Sequence, residues 1–146
     1  MKQLLLITAI VIFAFSSCNN KNSQSSKSNH ADSIQSDRVE VLYFHGKQRC
    51  ITCRAIELHT KELLDSLYNK ELGNGKVTFR IIDISTKKGE AIADKYEVTW
   101  SSLFINQWRE GKEIRNNMTE FAFSNAKGNP KEFKVGLEKE INQLLK

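Results

Sequence analysis

Apolar positions along this chain follow two different periods, and the changes between them mark out its elements. Residues 39–44 (Val-Glu-Val-Leu-Tyr-Phe) are β-rich and almost continuously apolar, which predicts a strand buried on both faces of a mixed sheet. A short polar loop, 45–49, follows. From Cys50 the spacing turns helical: Ile56, Leu63, Leu64, Leu67 and Leu72 fall on one face of a helix expected to stop near Gly73-Asn74-Gly75. Residues 77–84 predict a second strand, 88–96 a shorter helix and 102–107 a third strand. A fourth strand, 112–118, is expected to pair with the third across a Glu110-Gly111 turn. Asn129 and Pro130 predict the N-cap and first-turn proline of a last helix, 131–145, with Phe133, Leu137, Ile141 and Leu144 as its apolar stripe. Residues 120–123 (Glu-Phe-Ala-Phe) fit a short strand or a packed loop equally. The order βαβαββα is an α/β pattern, parallel crossovers followed by a hairpin, in a domain of residues 38–146. No internal repeat is present.

The first 37 residues follow neither period. Met1-Lys2 precedes an apolar run at 4–15, broken only by Thr8, and then Ser16-Ser17-Cys18, the layout of a secretory signal. The run is far short of the roughly 20 apolar residues of a membrane-spanning helix. Phe15-Ser16-Ser17-Cys18 resembles the lipobox of a bacterial lipoprotein signal, with Phe15 where leucine is usual. That resemblance implies removal of residues 1–17 and lipidation of Cys18; an ordinary signal peptide cut nearby is the alternative. Residues 18–37 hold six serines, four asparagines and no aromatic residue, too little apolar surface to fold, and are expected to be a disordered tether. A flexible coil of that length spans about 25 Å on average. His30 within it is read as solvated.

Composition narrows the function classes. The 22 Lys and Arg against 17 Asp and Glu give a net charge of +5, and the basic residues are interspersed with acidic ones instead of forming a stripe. Nucleic acid is therefore not the expected partner. Three cysteines, with one proline in the whole chain, are too few for a disulfide scaffold.

With Cys18 assigned to the anchor, Cys50-Ile51-Thr52-Cys53 remains, where a buried strand meets an amphipathic helix in a βαβ unit. In that context the spacing reads as a redox dithiol: the first thiol sits at the exposed helix start and the second is within disulfide reach in the first turn. Unpaired N–H groups and the positive end of the helix dipole favour a Cys50 thiolate, with Lys47, Arg49 and Arg54 adding positive potential. Cys50 is thus the expected attacking thiolate and Cys53 the resolving thiol. A zinc site would need two further ligands, and only His45 and His59 are near in sequence, so no metal is expected. A structural disulfide is the other alternative, although so short a loop gains little from closure. Glu57, Glu62 and Asp65 read as a solvated helix face, with Glu57 close to the dithiol.

The stretch Tyr-Phe-His-Gly-Lys-Gln-Arg-Cys-Ile-Thr-Cys-Arg at 43–54, together with Tyr-Glu-Val-Thr-Trp-Ser-Ser-Leu-Phe at 96–104, resembles the thioredoxin superfamily. Within it the match is closest to the ArsF-type subunit of nitrophenyl-compound nitroreductases, exported bacterial proteins associated with arsenic-resistance gene clusters. The resemblance implies a thioredoxin-like fold with a mixed sheet flanked by helices, and an electron-passing role in nitroaromatic reduction. Two departures accompany it. The cis-proline that faces the dithiol in thioredoxins is replaced by Ser101 or Ser102, where a trans peptide is expected, since a cis bond before serine costs about 2.5–4 kcal/mol. The buried acid of the first strand is replaced by Tyr43 or Phe44, which leaves His45 as the nearest titratable substitute. Trp100 fits either a partner-docking surface, with Arg49, Arg54, Ser101 and Ser102, or a core position.

Two functions remain open at this point. One is a membrane-tethered periplasmic thiol–disulfide oxidoreductase or electron relay, acting on redox partner proteins as a monomer or as a subunit of a hetero-complex. The other is a binding protein whose vicinal thiolates hold a soft metal or a trivalent arsenical. With no G-x-G-x-x-G or other phosphate-binding glycine cluster, no flavin or nicotinamide cofactor is expected, and nitroreduction would belong to a partner subunit.

Overall fold

Why the two periods produce a sandwich is visible in a computed structural model, which describes residues 37–146. Residues 1–17, Cys18 and the tether as far as residue 36 lie outside the described residues. β1 (Arg38–His45) is buried along six consecutive positions and lies at the centre of a four-stranded sheet. It pairs in parallel with β2 (Val77–Asp83) and antiparallel with β3 (Ser102–Arg109), which carries β4 (Lys112–Ile114) on its outer edge, giving the order β2-β1-β3-β4.

Alternation along β1 and β3 feeds two cores. Val39, Val41, Tyr43, Leu103 and Ile105 point to the face covered by α1 (Ile51–Leu67) and α5 (Pro130–Leu144), whose Ile56, Leu63, Leu64, Phe133, Leu137 and Ile141 complete that core. Leu42, Phe44 and Phe104 point to the other face, against Ala93 of α3 (Lys87–Lys95) and Val98. Each of these fully buried large side chains contributes roughly 1.5–3 kcal/mol of burial free energy. Helices cover both faces of a mixed sheet, the α/β arrangement expected. Among the described residues no helix is long and apolar enough to cross a membrane.

Several elements differ from the sequence expectation. The first helix ends at Leu67, and a separate short α2 (Asn69–Gly73) follows Tyr68. Tyr68 turns inward, its hydroxyl donating to the Glu138 carbonyl at 3.2 Å and to Asn142 Oδ1 at 3.0 Å, while Leu67, expected on the apolar face, is 52% exposed. The fourth strand is cut short after Ile114, yet its continuation still runs beside β3: Asn116 O accepts from Ile105 N at 3.0 Å and Met118 N donates to Leu103 O at 2.8 Å. Residues 120–123 form neither strand nor loop but part of α4 (Thr119–Asn125). The β3–β4 turn is where expected, with Glu110 and Gly111 both in the left-handed region (φ 52° and 74°), the geometry of a tight hairpin. Asp37 Oδ1 accepts from Glu110 N at 2.9 Å and so braces that turn. Pro130 opens α5 as expected; Asn129 holds the N-cap position without a side-chain capping bond.

Candidate functional site

β1 delivers the chain to one end of the sheet at His45, and residues 46–50 carry it into α1. Cys50 occupies the N-cap of α1 in extended conformation, and its Sγ accepts a hydrogen bond from Cys53 N at 3.0 Å. A sulfur therefore stands where Ser, Thr or Asp commonly caps a helix. No acidic residue lies in the first turn of α1 to offset the positive end of its dipole at that sulfur. Cys50 and Cys53 are joined as a disulfide, with Cα atoms 5.0 Å apart. The pair is asymmetric: Cys50 is exposed, and Cys53 is buried, at 5% exposure. A partner sulfur reaches only the first.

Beneath the dithiol lies Tyr43, fully buried, whose hydroxyl donates to the Cys53 carbonyl at 2.7 Å. Burial pushes the Tyr43 pKa up, against the opposing pull of hydrogen bonds with the Arg49 and Ser101 side chains. The hydroxyl thus stays a neutral donor and joins three segments: α1, the loop before it, and the loop before β3. The Arg49 guanidinium lies 5.8 Å from the Tyr43 ring centroid and forms an ion pair with Glu57, each side chain 25% exposed. Glu57 is therefore not part of a solvated face. The readable sign was its position four residues after Cys53, on the same side of the helix.

The other expected site residues fall into place around this centre. His45 ends β1 with Nδ1 3.1 Å from the Gly46 carbonyl and its ring 6.0 Å from that of Tyr43. Tyr43, not His45, is the polar side chain bonded to the backbone of the dithiol. Arg54 is exposed, its N–H donating to the Cys50 carbonyl at 3.1 Å. Ser101 and Ser102 are buried, and every peptide bond among the described residues is trans. Trp100 is 57% exposed and lies 5.0 Å, ring to ring, from Phe123, which excludes the core position considered for it. His59 pairs with Glu62 at 3.1 Å, and among the described residues no group of three His, Cys, Asp or Glu side chains is placed to hold a metal ion.

Sequence reasoning passed over Glu40. It sits within the otherwise apolar β1 and is buried, with Arg80 donating to it at 3.3 Å and Trp108 Nε1 at 3.1 Å. Its register with Thr78 and Asn106 sets it near the start of β1, whereas the dithiol follows the other end. It is not the acid that thioredoxins place beneath their second cysteine.

No family model and no curated protein matches the chain. Among solved structures it is similar to a thioredoxin from Thermus thermophilus (16% identity, TM-score 0.46, covering 73% of this chain and 72% of that one). It is also similar to a protein described as malarial (17% identity, TM-score 0.44, covering 71% of this chain and 97% of that one).

Proposed function

We propose that the chain is a thiol–disulfide oxidoreductase, exported and tethered to the membrane through a lipid on Cys18, which exchanges electron pairs with a partner protein. The observation that carries the reading is the asymmetry of the dithiol: an exposed Cys50 sulfur at a helix N-cap, bonded to a buried Cys53. In the reducing direction the Cys50 thiolate attacks one sulfur of a partner disulfide. A mixed disulfide forms and the partner's other sulfur leaves as a thiolate, which takes up a proton. Cys53, deprotonated, then attacks Cys50 Sγ and expels the second partner thiolate. The chain ends oxidised, having given two electrons, and the partner ends as a dithiol. A donor dithiol reverses the sequence.

The positive end of α1 and the nearby Arg49 stabilise the Cys50 thiolate. Burial of Cys53 keeps the resolving sulfur from competing partners, and Tyr43 fixes the backbone from which it attacks.

The remaining parts of this reading rest on sequence. The apolar run at 4–15 and the small residues before Cys18 support export and lipidation, and residues 18–37 support a tether. The 43–54 and 96–104 stretches support a place as the ArsF-type electron-passing subunit of a nitroaromatic reductase.

Cys53→Ser is expected to trap a partner as a mixed disulfide and Cys50→Ser to trap none. If neither variant traps a partner while the reduced pair binds arsenite one to one, the chain is instead a vicinal-thiolate binding protein. Cys18→Ala is expected to move the protein from the membrane to the soluble periplasmic fraction; retention in membranes counts against the anchor. The purified chain with a dithiol donor should not turn over a nitroaromatic, and unaided turnover would refute the electron-passing role.

A further inference from the structure

We propose that the cleft between residues 96–102 and α4 binds a cationic side chain, arginine or lysine, of the protein whose disulfide the dithiol exchanges. This rests on the dithiol reading above and adds a partner chemistry to it. The cleft has a volume of about 620 Å³. Its aromatic lining includes Tyr96 and Phe104, 5.3 Å apart edge to face, and the Trp100–Phe123 pair. Glu97 and Glu120 also line it, and among the described residues no lysine or arginine does, in a chain whose net charge is +5. Carboxylates beside aromatic faces suit a guanidinium or ammonium group, which gains both an ion pair and a cation–π contact.

One local contact points the same way. Arg115 already lies 4.1 Å from the Tyr96 ring centroid, so this aromatic cluster accommodates a guanidinium. Arg115 is held by Glu113 at 2.8 Å and by the Lys95 carbonyl at 2.5 Å; it feels the Glu97 charge from behind Tyr96 but does not line the cleft. Glu97, at φ 55°, is the left-handed residue that closes α3, where Val98 N donates to the Ala93 carbonyl at 3.0 Å.

Continuity with the dithiol gives the cleft its role. Ser102 lines it; the preceding Ser101 side chain lies near the Tyr43 hydroxyl, which bonds the Cys53 carbonyl. An extended partner segment with its cystine sulfur at Cys50 would cross Ser101 and Ser102 and bring a residue a few positions away into the cleft.

The test uses two disulfide-linked peptides that differ only in carrying Arg or Glu near the cystine, each reacted with the reduced full chain. The arginine peptide is expected to react at least fivefold faster at low salt. The preference should fall below twofold in the Glu97→Gln/Glu120→Gln double variant and shrink as salt is raised. Equal rates in the wild type, or a preference that survives the double substitution, would overturn the proposal. Should neither peptide nor a small-molecule disulfide react, the dithiol reading fails, and a thiol-free arginine peptide decides the cleft separately. A change in Trp100 fluorescence on its addition, lost in the double variant, supports the site, and no change overturns it.

Discussion

The Tyr43 hydroxyl bonds the backbone carbonyl of Cys53, 2.7 Å away, and so ties the central strand to the first turn of the helix that carries the dithiol. Tyr43→Phe keeps the ring in the core and removes only this bond and its contacts with Arg49 and Ser101. We expect a loss of about 0.5–1.5 kcal/mol, the usual worth of one hydrogen bond, measured as a shift of the urea midpoint in both redox states. Unchanged stability would show that the hydroxyl does not hold the helix.

Arg49 and Glu57 should act on the Cys50 thiol with opposite signs. Removing the cation by Arg49→Gln disfavours the thiolate and raises the Cys50 pKa. Removing the neighbouring carboxylate by Glu57→Gln frees the cation and lowers it. Both effects should be modest, since the pair is only partly buried and screened by solvent. The rate of alkylation of the reduced chain against pH reads both, and shifts of the same sign would contradict the electrostatic account.

Stability should fall in strongly alkaline solution. Burial raises the pKa of Tyr43, Tyr68 and Tyr96; that of Tyr68 is pushed up to about 12, with the charges of Glu138 and Glu71 adding to the effect. An unfolded tyrosine titrates near pH 10. Below that pH both states keep their protons and the stability is fully present. As pH climbs toward 12 the unfolded chain loses protons first, so stability declines. Urea midpoints between pH 9 and 12 should show the decline, and Tyr68→Phe should flatten part of it. A midpoint constant over that range would contradict the assignment.

Gly89 is expected to be the glycine least tolerant of alanine. A Cβ there would collide with the backbone carbonyl of Asp83, which cannot turn aside as a side chain would. Gly89→Ala should cost about 1–3 kcal/mol, and Gly128→Ala, which meets open space, should be near neutral. Thermal unfolding of the two variants checks the order.

Where local pattern and tertiary packing agree, the sequence was readable. β1 announces itself because both its faces are buried, the dithiol because strand, thiol spacing and helix periodicity coincide, and the last helix because Pro130 and its apolar stripe agree. The misreadings come from side chains with distant partners. Tyr68 breaks the first helix to reach α5, 70 and 74 residues away, and leaves Leu67 in solvent despite its helical phase. Phe121 and Phe123 alternate like strand residues, yet both lie on α4, one stacked on Phe133 and the other tilted against Trp100. The Tyr43–Arg49–Glu57 cluster was legible only in part: proximity in sequence named the residues, whereas the hydroxyl that joins them is set by the depth of β1 beneath α1.

The most direct measurement of the central claim is a redox titration of the Cys50/Cys53 pair, with free thiols counted by alkylation and mass spectrometry. An exchanging dithiol should give one reversible two-electron transition, with both thiols appearing together, at a potential above about −300 mV. A pair that stays oxidised at and below that value would be a structural disulfide, and the chain would then not be a thiol–disulfide oxidoreductase.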